Sequence, residues 1–344
     1  MDRQEVSPAA ARVARRTAGK ARVRAGFFFA ALAALCCQGG CITLPQSEAL
    51  RENPPAGLPA RVELTQVPFH KQDDFLCGPA TLAMVFNAAG VASASVESLT
   101  PMVYLPGRQG SLQAEMLGAT RRTGLLAYTL APRLEDVLRE VAAGTPVVVL
   151  LNLALKIYPV WHYAVIVGYD LEKREVIVRS AKRERDEWGF GFLEFFWQES
   201  GHWSMLALPP GRLPATAREA DTAAAVAALE QAGRGNEARE SYKALLGRWP
   251  DNLVGLIGLG NVEYTSKNMV AAERAFRRAS EAHPQSAIAF NNLAHVLGIL
   301  GRLADAESAA RTAVALGGPL LPETTKTLEA ILAQRQRPSA PTKP

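Results

Sequence analysis

The sequence predicts an α+β domain followed by an all-α helical solenoid, with an export leader in front of both. Three observations carry that reading. Within residues 61–210, helical apolar spacing comes first and gives way after Gly144 to three β-rich runs, VVVLLNLAL, HYAVIVGYD and REVIVRS. Helices first and an antiparallel sheet second is an α+β order. From Glu219 onward an alanine-rich helical pattern recurs every 34 residues, the mark of stacked helical repeats. Ahead of both, Arg3, Arg12, Arg15, Arg16, Lys20, Arg22 and Arg24 precede the apolar run AGFFFAALAALCC.

That run, Ala25 to Cys37, falls short of the roughly 20 residues a bilayer span needs. It suits the apolar core of a signal peptide, so residues 1–41 read as a lipoprotein-type signal. The stretch QGGC, Gln38 to Cys41, resembles the processing site of bacterial lipoproteins. Cys41 is then the expected lipidation site and new N-terminus, and Ile42 after it points to the outer membrane, facing the periplasm of the cell envelope. Ordinary secretion with cleavage elsewhere is the alternative. The leader also accounts for the charge. The formal net of +5 is that of residues 1–40, and the remainder holds 31 basic and 31 acidic side chains. A neutral mature chain carries no electrostatic footprint for nucleic acid, and none is expected as a partner. Residues 42–60, punctuated by Pro45, Pro54, Pro55 and Pro59, read as a tether.

The domain at 61–210 opens with QDDFLCGPATLAMVF. Leu82, Val85, Phe86 and Ala89 fall at i, i+3, i+4 and i+7, which predicts an amphipathic helix with one buried face. Pro79 belongs in a first turn, so Cys77 stands at the helix N-terminus, and Gly90 is the stop. A thiol there feels the positive end of the helix dipole, which predicts easier ionisation. Further helices are expected near Ser111 to Thr123 and over Arg133 to Ala143. The runs HYAVIVGYD and REVIVRS are joined by the short polar connection Leu171 to Arg174, which predicts an antiparallel hairpin. The stretch GFGFLEFFWQESGHWSMLALP reads as a short turn or helix and a closing strand.

The repeat region, residues 219–335, begins after the boundary LPPGRLPA. Pro250 and Pro284 are 34 apart, as are Leu259 and Leu293, and Ala238, Ala272 and Ala306. Small residues at helix crossings with a proline closing each unit are the tetratricopeptide signature. The best unit, Leu253 to Ser286, carries Leu259-Gly260, Ala272, Phe276, Ala279 and Pro284 at the expected positions. Three units are expected, capped by the amphipathic stretch Pro322 to Gln334, with residues 336–344 a disordered tail. The first helix of each unit should line a concave groove that binds a protein or peptide. Asn261, Tyr264, Asn291, Asn292 and His295 are its expected exposed contacts.

After processing at Cys41, Cys77 is the one thiol left, and a lone cysteine in an exported protein suggests a reactive group. Nucleophilic thiol chemistry also needs an imidazole and oxyanion donors. Of the five histidines, His283 and His295 belong to repeat helices, which leaves His70, His162 and His202. His162 heads an otherwise apolar strand and is placed at a sheet rim.

Gln72, then Cys77-Gly78-Pro79-Ala80, and His162-Tyr163-Ala164-Val165 followed by a second strand, together resemble the papain-like bacteriocin-processing cysteine peptidases. The likeness is greatest to their stand-alone double-glycine peptidase-like relatives that carry a lipoprotein signal and tetratricopeptide repeats. The resemblance implies a papain-like α+β fold with Cys77 as nucleophile, His162 as base and Gln72 as oxyanion donor. The family's orienting aspartate falls where this chain has Ser180. A serine fixes a tautomer but brings no negative charge; Glu184 and Asp186 are the alternative acids. The expected function is a membrane-anchored cysteine peptidase acting on a protein or peptide, with the repeats recruiting a protein partner. The other reading is a catalytically inactive scaffold on the same fold. No HExxH or clustered Cys/His spacing is present, so neither metal nor cofactor is expected.

Overall fold

Cys77 is the first residue of the helix that organises the domain. The computed structural model describes residues 43–72 and 75–336; the expected lipidation site Cys41, its leader and all of the expected tail at 336–344 except Gln336, which ends the last helix, lie outside the described residues. In chain order the elements are α1 (Pro45–Glu52), β1 (Arg61–Glu63), α2 (Cys77–Ala88), α3 (Val96–Val103), α4 (Gln113–Arg122), β2 (Leu126–Thr129), α5 (Leu134–Ala142), β3 (Val147–Asn152), β4 (Trp161–Asp170), β5 (Glu175–Ser180), β6 (Arg183–Gly189), α6 (Phe190–Trp197) and β7 (Ser204–Leu208). Pro79 sits in the first turn of α2, where its missing N–H is no loss, and Gly90 follows the last turn at φ 96°.

The structure corrects one expectation about α2. It is buried on every side from Gly78 to Phe86, not along one face. The apolar period marked the helix, but Ala80, Thr81, Ala83 and Met84 fill the intervening positions, and α2 lies between the sheet and α3 and α4. Such all-round burial suits a central helix.

The strands of the described residues form one antiparallel sheet in the order β2-β7-β3-β4-β5-β6, with β1 against the far end of β4. Consecutive strands β3 to β6 pair as a meander. β2 and β1 come from the helical half of the sequence. β6, RERDEWG, is charged because it is an edge strand; its Arg185 Nε donates to Glu63 Oε1 at 2.7 Å. Charge on an edge also blocks pairing with another chain.

The segment expected as a tether carries α1. Glu194, buried in α6, accepts from Gln46 N at 2.9 Å, Ser47 N at 2.7 Å and Ser47 Oγ at 2.5 Å. A carboxylate on free N–H groups in a first turn satisfies them and favours the helix dipole.

The helices α7 (Glu219–Gln231), α8 (Gly235–Arg248), α9 (Leu253–Thr265), α10 (Met269–Ala282), α11 (Ala287–Ile299), α12 (Leu303–Leu316) and α13 (Leu321–Gln336) form three pairs and a capping helix. Gly260 shows why the pattern holds. A Cβ there would stand 2.3 Å from the Phe276 ring, so the glycine of one helix makes room for the aromatic of its partner. The first pair joins the sheet domain. Ala223, Val226, Leu229, Ala238 and Tyr242 belong to the same buried cluster as the α2 and sheet residues. Between them, fully buried Glu140 accepts from Ala215 N at 3.2 Å, Thr216 N at 2.8 Å and Thr216 Oγ1 at 2.6 Å, fixing the connection.

Candidate active site

A cleft of about 1170 Å³ opens where the N-terminus of α2 meets the start of β4, and Gln72, Cys77, His162 and Ser180 all line it. β4 and β5 pair with Val165 opposite Arg179, which puts Ser180 one diagonal step from His162 on the neighbouring strand. His162 Nε2 lies 2.8 Å from Ser180 Oγ. With Nε2–H donated to that hydroxyl, Nδ1 remains as the basic nitrogen of the ring.

Gln72 is held by the turn after β5. Its N–H donates to Ala181 O at 2.9 Å, and its Oε1 accepts from Ala181 N at 3.0 Å. Ala181 adopts φ 52° to do this, the left-handed region that a residue with a Cβ visits rarely. The side-chain Nε2 of Gln72 is buried, faces no hydrogen-bond partner among the described residues, and belongs to a residue lining the cleft. A buried N–H₂ without an acceptor costs free energy, and a developing oxyanion would supply one.

The electrostatics correct a second expectation. Burial pushes the Cys77 thiol above its ordinary value, and the backbone N–H groups of Tyr163, Gly78 and Cys77 only partly oppose it. Burial also lowers His162 to about 4. Near neutral pH the resting pair is therefore thiol and neutral imidazole, because desolvation outweighs the helix terminus. That Tyr163 N–H acts on the sulfur also sets the thiol against β4, one residue from His162.

Neither alternative acid is hydrogen-bonded to the ring, although Asp186 lines the same cleft. Glu184 faces Arg179 at 3.6 Å, and Asp186 accepts from Trp188 Nε1 at 3.0 Å and Arg183 Nη1 at 3.2 Å. His70 pairs with Asn87 Oδ1 at 2.7 Å, and the His202 ring meets Trp197 edge-on.

Ser111 was not legible as a site residue. A Cβ on Gly78 would stand 2.2 Å from Ser111 Oγ, so the glycine after the cysteine admits the loop that closes this side of the cleft. Tyr163 Oη donates to Ser111 O at 3.2 Å and latches the same loop. The β3–β4 connection forms an apolar finger at the mouth. Asn152 Oδ1 accepts from Ala154 N at 3.2 Å and Val160 N at 2.9 Å at its base, and Leu155, Ile157 and Tyr158 are exposed at its tip.

The repeat residues are less open than expected. Asn261, Tyr264, Asn291 and Asn292 are half-buried, and His295 alone of the five is exposed. Tyr264 Oη and His295 Nε2 lie 3.0 Å apart, and Asn291 Nδ2 donates to Asn292 Oδ1 at 3.4 Å. Packing of α9 near α11 brings Tyr264 and His295 together, whereas Asn291 and Asn292 are consecutive on α11.

Residues 64–204 match the Peptidase_C39 like family. This stretch, which holds Gln72, Cys77, His162 and Ser180, is a Peptidase_C39-like domain, and tetratricopeptide-like helical repeats follow it. No curated protein is matched. Among solved structures, the chain is similar to the Yersinia enterocolitica type III secretion chaperone SycD in complex with a peptide of the translocator YopD, at 20% identity and TM-score 0.32, covering 33% of this chain and 92% of that one. Pseudomonas aeruginosa PcrH in complex with the chaperone binding region of PopD gives 22% identity and TM-score 0.32, covering 33% and 91%. The TPR2B-domain:pHsp70 complex of yeast Sti1 gives 16% identity and TM-score 0.32, covering 34% and 98%.

Proposed function

We propose that the chain is an envelope-anchored cysteine hydrolase that cleaves an amide bond in a protein or peptide, with its repeats holding a protein partner. The observation that carries this reading is the convergence on one cleft of the Cys77 thiol, the His162 ring fixed at 2.8 Å by Ser180, and the unpartnered Gln72 Nε2.

In the reaction, Cys77 Sγ attacks the substrate carbonyl as its proton passes to His162 Nδ1. The oxyanion accepts from Gln72 Nε2 and from backbone N–H at the start of α2. Collapse expels the amine, which takes the proton from His162, and leaves a thioester on Cys77. Water, deprotonated by His162, hydrolyses it and restores the thiol. Ser180 orients the ring as a neutral acceptor, which accords with a resting pair that carries no charge.

Anchoring at Cys41 and a groove built around Asn261, Tyr264, Asn291, Asn292 and His295 complete the reading. New protein N-termini in envelopes holding the unmodified chain, compared with a Cys77→Ala strain, test hydrolysis. The mass of the mature N-terminus tests acylation. Identical N-termini in both strains favour the binding-scaffold alternative.

A further inference from the structure

Helix α6, FGFLEFFW, is apolar on both faces although it lies at the surface. Phe190, Leu193 and Trp197 point into the core, and so does its one charge, Glu194. Outward stand Phe192 at 52% exposure and Phe195 at 39%, with Phe196 half-buried between them. Their rings form a chain of edge contacts. Trp188 meets Phe192 at 5.5 Å, Phe192 meets Phe196 at 4.9 Å, and Phe196 meets Phe195 at 5.0 Å. A helix that is apolar all round is ordinarily covered, and a clustered aromatic surface marks a contact site.

The chain's own path selects what covers it. Gln46 and Ser47 are bonded to Glu194 on this same helix. Gln46 lies five residue steps beyond Cys41, and at no more than about 3.5 Å each these span about 17 Å. A helix with its side chains is itself about 10–12 Å across. An acyl group on Cys41 therefore keeps α6 within a short distance of the headgroups, where aromatic rings are favoured.

We infer that the outward face of α6, formed by Trp188, Phe192, Phe195 and Phe196, is a membrane-contact surface seated in the headgroup region of the bilayer to which the chain is anchored. The inference rests on the anchoring at Cys41 in the proposed function. It fixes the orientation of the domain: α6 faces the lipid.

The test uses the full-length processed protein in phosphatidylethanolamine–phosphatidylglycerol vesicles, with and without brominated acyl chains, which quench nearby indoles. Phe195→Trp adds a reporter to the face, Phe192→Trp serves if the first variant misfolds, and Tyr158→Trp reports from the finger at the cleft mouth. The expected result is loss of the added emission in brominated vesicles for Phe195→Trp and none for Tyr158→Trp. Emission from Phe195→Trp that ignores bromination overturns the inference, as a protein partner covering the face would produce, and so does quenching confined to Tyr158→Trp. The N-terminal mass of the same sample separates the two claims. An acyl group without quenching leaves the anchor and removes this surface, and quenching without an acyl group does the reverse.

Discussion

Replacing Ser180 by aspartate returns a charge to the one position where the site lacks it. Ser180 Oγ is 2.8 Å from His162 Nε2, and Ser180 lines the cleft. An adjacent carboxylate raises a histidine by about 1–3 units, against a starting value lowered to about 4 by burial. At 1.36 kcal/mol per unit, the imidazolium gains about 1.4–4 kcal/mol. If half of that is present in the transition state for thiol attack, the rate rises about 3–30-fold. The assay is the second-order rate of Cys77 alkylation by iodoacetamide across pH, alongside the His162 titration followed by NMR. Ser180→Ala serves as the opposite perturbation and should slow the reaction. If Ser180→Asp leaves the His162 titration near 4, or alters the rate no more than Ser180→Ala does, the assignment of Ser180 to the imidazole is refuted.

Because burial raises the Cys77 thiol, alkylation of the native unmodified protein should rise at higher pH than that of the urea-unfolded chain; a native curve at lower pH contradicts the neutral pair. His162 titrates at about 4 when folded against an ordinary 6.5, so the unfolded chain binds the extra proton and stability falls as pH drops from 6.5 toward 4, by up to about 3 kcal/mol. The denaturant midpoint of the unmodified protein should fall over that window relative to that of His162→Phe. Glu140→Ala strands the N–H groups of Ala215 and Thr216 and the Thr216 hydroxyl, which should cost about 3 kcal/mol in chemical unfolding; a loss below about 0.5 kcal/mol is what an ordinary surface change gives.

The sequence was most informative where a period or a motif constrains many residues together. The 34-residue recurrence marked all three helix pairs, and the β4–β5 hairpin followed from its short polar connection. What escaped it depends on tertiary partners. Nothing local in RERDEWG signals β6, because an edge strand needs only one neighbour. The helix α1 is drawn onto the fold by Glu194, 147 residues away from Ser47. At the site, Cys77, His162 and Ser180 could be named from their motifs and strand register. Ser111 could not, since its only signal is the missing Cβ of Gly78, visible once the two loops meet. The ionisation of the Cys77 thiol departs from the sequence expectation for a related reason. A helix N-terminus is legible in sequence, whereas the desolvation that outweighs it depends on how completely α2 is enclosed.

The proposed chemistry requires that Cys77 form and then release a covalent acyl intermediate with the help of His162. Intact mass spectrometry after rapid mixing with a peptide thioester follows both steps directly. An acyl mass confined to the Cys77 peptide should appear, decay faster on the native protein than on the urea-unfolded chain, and persist on His162→Ala. Acylation and decay at the same rates on native, unfolded and His162→Ala chains would contradict it and leave the domain as a binding module.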